Sequence, residues 1–91
     1  MSSQKPDKPF TPTGKQIKAA RMLLEMTQED LSAASGVSKS TVENYETGRK
    51  APIPATVSQI VDALTRRGIR FNNGSAPSVT HDLSKADIET P

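Results

Sequence analysis

The segment Ser38-Lys-Ser-Thr-Val-Glu-Asn-Tyr-Glu-Thr47 mixes short hydrogen-bonding side chains with one ammonium group. Wound as a helix, it sends Val42 and Tyr45 one way and leaves Lys39, Ser40, Glu43, Asn44 and Thr47 on the other faces. Those side chains suit the edges of nucleobases. A lysine donates to guanine O6 and N7, an asparagine forms a paired bond to adenine N6 and N7, and a glutamate accepts from cytosine N4. Glu43 has a second reading, repulsion of wrong sites. Ser38 and Ser40 can touch a base edge or a phosphate. An α-helix also fits the major groove of DNA. A solvated face on any surface helix has the same composition, so the pattern alone leaves that alternative open.

Such a face is useful only if other elements hold it, and the flanking sequence supplies them. Thr13-Gly-Lys-Gln16 fits a capping box, and Ile17, Ala20, Arg21 and Leu24 recur at helical spacing, which predicts a first helix over about 14–25. Thr27 with Asp30 repeats the capping logic, and Met26 and Leu31 fit a hydrophobic staple. A second helix over about 28–35 then stops at Gly36, the residue that enters the left-handed region at least cost. Ser38 caps a third helix over about 39–47, which ends at Gly48, with Val37 and Val42 as its staple. Pro54 suits a first helical position, and Val57, Ile60, Val61 and Leu64 form the apolar stripe of a fourth helix over about 55–67. Arg66 and Arg67 complement its negative end. Ile69-Arg-Phe71 alternates as a half-buried strand does, Asn73-Gly74 signals a turn, and Val79–Leu83 is a candidate returning strand. The expected core is Ile17, Leu24, Leu31, Val42, Tyr45, Val57, Ile60, Val61 and Leu64, with Met22 and Met26 filling gaps.

Ninety-one residues allow one small domain, organised as a disordered arm over 1–12, a body over 13–73 and a weakly structured or disordered tail over 74–91. Apolar residues make up 33% and only three residues are aromatic, so the core is small and association into dimers would help to stabilise it. The chain has no cysteine and a single histidine, His81, which leaves no basis for a disulfide framework, thiol chemistry or a zinc site. His81-Asp82 beside serines superficially suggests acyl transfer, but a triad needs a rigid scaffold with an oxyanion site, and this pair sits in the tail. No catalytic activity and no cofactor are expected. Without an apolar signal core or membrane-length run, a cytoplasmic location away from membranes is expected. Net charge is +2, but residues 13–73 carry nine cationic against six acidic side chains, whereas 81–91 carry Lys85 against Asp82, Asp87 and Glu89. A mildly basic body is compatible with a polyanionic partner. Lys5 and Lys8 in the arm are candidates for a minor-groove contact.

Taken together, Arg21, Thr27-Gln-Glu-Asp-Leu31, the small Ser32, Gly36-Val37-Ser38, Val42, Tyr45-Glu46 and Gly48-Arg49 resemble the Xre family of phage-repressor and Cro-like helix-turn-helix regulators. The resemblance covers about residues 13–67, and Gly68-Ile-Arg-Phe71 is similar to short bacterial members in which a small strand follows the fourth helix. It implies an all-α, lambda-repressor-like bundle of four to five helices, here with a short C-terminal strand or hairpin. It also implies a homodimer on double-stranded DNA, with the third helix in the major groove. By the same resemblance, Thr27 and Gln28 clamp the DNA backbone on one side of the groove. Thr47, Arg49 and Lys50 clamp the other side, and Arg21 pairs with Glu46 between helices 1 and 3. A second class of function, a protein-interaction module such as an antitoxin or antiactivator, is suggested by the arm, the acidic tail and the apolar strand with its edge.

Overall fold

The computed structural model describes residues 11–72 and 78–81. Four helices, α1 (Gly14–Leu23), α2 (Gln28–Ser35), α3 (Lys39–Thr47) and α4 (Pro54–Thr65), precede two short strands, β1 (Ile69–Asn72) and β2 (Ser78–His81). The strands pair antiparallel with Ile69 opposite His81 and Asn72 opposite Ser78. The protein is thus a compact helical bundle with a helix-turn-helix and a C-terminal β-hairpin.

Local chemistry sets most of these limits. Thr13 caps α1 by accepting from the Gln16 amide (3.1 Å), and Gln16 Oε1 accepts from the Thr13 amide (2.8 Å). Thr27 and Asp30 make the same reciprocal pair at α2, both bonds 2.9 Å, so the shorter Asp side chain does reach back. Gly36 (φ 77°) and Gly48 (φ 74°) end α2 and α3 in the left-handed conformation. α1 stops two residues earlier than its periodicity predicts. Met26 N donates to Arg21 O (2.9 Å) and Glu25 N to Met22 O (3.0 Å), a Schellman ending with Glu25, not glycine, at φ 58°. Pro54 opens α4 at its first position, one residue sooner than expected. The helix ends at Thr65 with Arg67 Nη1 on Ala63 O (2.7 Å).

The core lies between α1, α2, α3 and α4, with the hairpin closing one end. Ile17, Ala20, Leu31, Val37, Val42, Tyr45, Ile60, Ala63, Leu64 and Ile69 are buried. Full burial of each large aliphatic side chain contributes roughly 1.5–3 kcal/mol. Leu24, Met26 and Val57 pack against this cluster but are only partly buried. Val61 is half-buried, and Met22 faces solvent, so Met22 is not a gap-filler. Ile69, which the helical stripe did not include, is a fully buried part of the core.

Strand β2 lies within the 74–91 segment that composition suggested was a weak tail; its partner is β1, and α1 packs on it. Gln16 joins these parts. Its Nε2 donates to Asn72 O and Ser78 O, both at 3.1 Å, while its Oε1 completes the α1 cap. The expected Asn73-Gly74 turn, the residues of the arm up to Phe10 with Lys5 and Lys8, and the tail from Asp82 lie outside the described residues. Within the expected arm, Pro12 is fully buried.

Candidate nucleic-acid interface

The buried side of α3 is fixed by an ion pair. Arg21 Nε donates to Glu46 Oε2 (2.8 Å) and Arg21 Nη2 to Glu46 Oε1 (3.0 Å), with the side chains 12% and 2% exposed. The fork geometry uses both carboxylate oxygens. Arg21 Nη1 donates to Met26 O (2.9 Å), and Gln28 Nε2 donates to Glu46 Oε1 (3.2 Å). The Arg21–Glu46 pair therefore ties together α1, the α1–α2 turn, the start of α2 and α3. The hydrogen bond to Glu46 raises the Arg21 pKa; burial opposes the shift and the Glu46 charge adds to it.

The last turn of α3 is held twice more. Tyr45 Oη donates to Pro12 O (2.8 Å), and burial pushes its phenol up to about 12. Gly14 lies so near the carbonyls of Tyr45 and Glu46 that a Cβ there would stand 2.7 Å from Glu46 O and nearer still to Tyr45 O. The absence of a side chain at Gly14 is what lets the first turn of α1 sit against the end of α3.

The opposite side of α3 is open. Ser38, Lys39, Ser40 and Glu43 are exposed, and Asn44 is half-buried. Asn44 lines a groove with Thr41, Tyr45, Lys50, Pro52 and Ile53. Two of the expected hydroxyls are engaged within the protein. Ser38 Oγ accepts from Thr41 N (3.2 Å) and donates to Thr41 Oγ1 (2.8 Å). Thr47 Oγ1 donates to Glu43 O (3.0 Å). A serine or threonine hydroxyl has one proton, so in this arrangement Ser38 and Thr47 offer a ligand acceptor sites only. The donor that Ser38 lacks is available on its neighbour, since the Thr41 hydroxyl accepts from Ser38 and keeps its own proton. Sequence reasoning passed over Thr41; its place three residues after a serine cap was the available signal.

Thr27 is an exposed cap with its hydroxyl accepting from Asp30 N. Gln28 uses one Nε2 proton on Glu46 and retains the other. Arg49 and Lys50 are exposed just beyond Gly48, on a loop that Arg49 N anchors to Asn44 O (3.0 Å). The first turns of α2 and α3 meet at a cleft of about 350 Å³ lined by Arg21, Thr27, Gln28, Glu29 and Lys39. Helix N-termini favour anions through unpaired amides and a positive dipole end. Glu29, which belongs to the motif carrying the resemblance but was given no site role, stands 3.8 Å from Lys39 Nζ in that cleft.

Other chemistries find little here. Among the described residues, no three His, Cys, Asp or Glu side chains gather as metal ligands, and no helix is long and apolar enough to cross a membrane. His81 Nε2 is buried without a hydrogen-bond partner, and His81 sits at the end of β2 opposite Ile69.

A helix-turn-helix family profile matches residues 17–67, more than half of the chain. The match runs from the first core residue of α1 through the end of α4 and excludes the hairpin. No curated protein matches the chain.

Proposed function

Because the chain belongs to the helix-turn-helix family of Xre- and Cro-like DNA-binding domains, we propose that it is a transcriptional regulator whose α3 reads an inverted-repeat operator in the major groove as a homodimer. The single observation that carries this reading is the two-sidedness of α3. One side is locked by Glu46 and Tyr45, and the other presents Lys39, Ser40 and Glu43 to solvent, with Asn44 half-buried at its edge. A rigid helix with a free polar face is what base reading requires, because contacts to base edges discriminate only when the donor positions are fixed.

In this reading Lys39 and Asn44 carry the main base contacts, Ser40 and Glu43 lie alongside them, and Ser38 contributes an acceptor. Phosphates are held on one side by the first turn of α2, with Thr27 and the second Nε2 proton of Gln28. Arg49, Lys50 and the backbone near Thr47 hold the other side. The Gln28 contact links the phosphate to the Arg21–Glu46 pair, so docking the backbone also loads the support beneath the reading helix. Residues 13–73 form the DNA-binding unit, flanked by an arm and a tail. Two copies would place their α3 helices about 34 Å apart, in successive major grooves on one side of the duplex. Repression follows when such a complex covers a promoter.

Selection of bound sequences from a random duplex pool tests the proposal. The expected result is an imperfect palindrome with half-sites about 10 base pairs apart between centres. Recovery of no preferred sequence, with α3 amide resonances unmoved by duplex, overturns it.

The hairpin supports a second reading, since it lies outside the family match and paired strands can take up another strand at an edge. In that reading the domain binds a protein, as an antitoxin or antiactivator does. Co-purification of a stoichiometric partner by a protein without DNA affinity would favour it.

A further inference from the structure

We infer that Glu29 is a specificity-determining residue that acts through Lys39, a role that rests on the DNA-reading function proposed above. The cleft between the first turns of α2 and α3 holds four charged or amide side chains, and two of them are committed elsewhere. Arg21 is spent on Glu46 and Met26, and Gln28 gives one proton to Glu46. Asp30, next in α2, is spent on the Thr27 amide. The uncommitted charges are Lys39 and Glu29, which face each other at 3.8 Å with side chains 55% and 76% exposed.

A carboxylate in a phosphate cleft opposes binding to every duplex, so its presence needs another consequence. Lysine is a point charge on a flexible stem, and by itself it reaches any nearby phosphate equally well on any sequence. Glu29 holds the ammonium at the mouth of the groove. The ammonium has three protons, so pairing with a carboxylate leaves donors for guanine O6 and N7. On an operator Lys39 keeps Glu29 and gains the base. On random DNA no base acceptor meets the spare donors, and a phosphate drawn to the ammonium meets the like charge of Glu29 beside it. Glu29 thereby lowers affinity for non-operator DNA without an equal loss on the operator. It is a positioning residue and touches no base itself.

The test compares wild type, Glu29→Gln, Lys39→Gln and the double variant on the selected operator and on a random duplex, across a salt series. Exposed pairs have small energies, so the expected change for Glu29→Gln is modest. Affinity for the random duplex rises about two- to five-fold and its salt slope steepens by about one unit, while operator affinity stays level or falls. The double variant loses the gain on random DNA, which shows that Lys39 carries it. Equal tightening on both duplexes would mean simple relief of repulsion and would overturn the inference, as would no change on either. A wild-type protein that binds no duplex selectively overturns the DNA-reading function itself, a result distinct from either of these.

Discussion

The two ends of α3 are built on opposite principles. At its C-terminal end Tyr45 and Glu46 are buried, bonded to Pro12, Arg21 and Gln28, and pressed by the backbone of Gly14. At its N-terminal end Ser38, Lys39 and Ser40 are exposed, held by one serine cap and a surface ion pair. The difference teaches where order is needed. The polar side chains at the free end are exposed, and the position of the helix that carries them is defined elsewhere. Substitutions at the fixed end should therefore register as loss of stability, and those on the open face as loss of binding.

The largest expected effect comes from Glu46→Ala. Removing one partner leaves the Arg21 guanidinium unpaired at low exposure, which costs about 3–5 kcal/mol. Chemical denaturation should show the loss as a lower midpoint at unchanged slope. Replacing both, as Arg21→Met with Glu46→Leu, should recover much of it, because desolvation offsets most of the attraction in a buried pair. If Glu46→Ala unfolds no more easily than wild type, the fixed end is not fixed by this pair. Gly14→Ala attacks the same end by another route. A methyl group there meets two backbone carbonyls that cannot rotate away, so α1 and α3 must separate. A cost of about 3 kcal/mol, read by the same denaturation, is expected.

Much of this fixed end is invisible to local sequence patterns. Caps and glycines are legible because few residues do those jobs. Thr27, Gly36, Ser38 and Gly48 bound α2 and α3 where spacing predicted. The stop of α1 was not legible, since Glu25 carries no signal for the left-handed conformation it adopts. Nor was the second use of Gln16, which bonds carbonyls 56 and 62 residues away. Tyr45 was readable as core, but its bond to Pro12 joins the body to a segment whose composition suggested a free arm. The open face of α3 was legible as a face. Which hydroxyls were already engaged, as at Ser38 and Thr47, depended on bonds between neighbours that residue types do not specify. The hairpin register needed the fold, because Pro77 and Ser78 interrupt the alternating pattern, yet Ser78 is the first residue of β2 and pairs with Asn72.

The open face is probed by Asn44→Ala. Asn44 forms no bond through its side chain to the buried network, and its effect should appear in binding. A loss of about 1–3 kcal/mol at the selected operator is expected, with relaxed preference at one base pair and little loss on random DNA. Fluorescence titration on both duplexes measures it. Equal losses on the two would assign Asn44 to general affinity and blur the contrast between the ends.

The smallest neutral-pH effect is expected from Tyr45→Phe, and its pH dependence makes it the sharper probe. Near neutrality it removes one hydrogen bond, Tyr45 Oη to Pro12 O, at a cost of about 1 kcal/mol. The native phenol titrates at about 12 because burial disfavours the anion, whereas an unfolded tyrosine titrates near 10. Below about pH 10 both states keep the proton, and the stabilisation is fully present. Between about 10 and 12 the unfolded chain releases its proton first, so wild-type stability falls as pH rises by about 1.4 kcal/mol per unit from this group. Phenylalanine has no proton to release. The two denaturation midpoints should therefore converge above pH 10, with the variant overtaking if the loss exceeds the hydrogen bond it lacks. Parallel decline of both proteins would show that Tyr45 does not govern the alkaline limit. The tie between Pro12 and α3 would then be no stronger than an exposed contact.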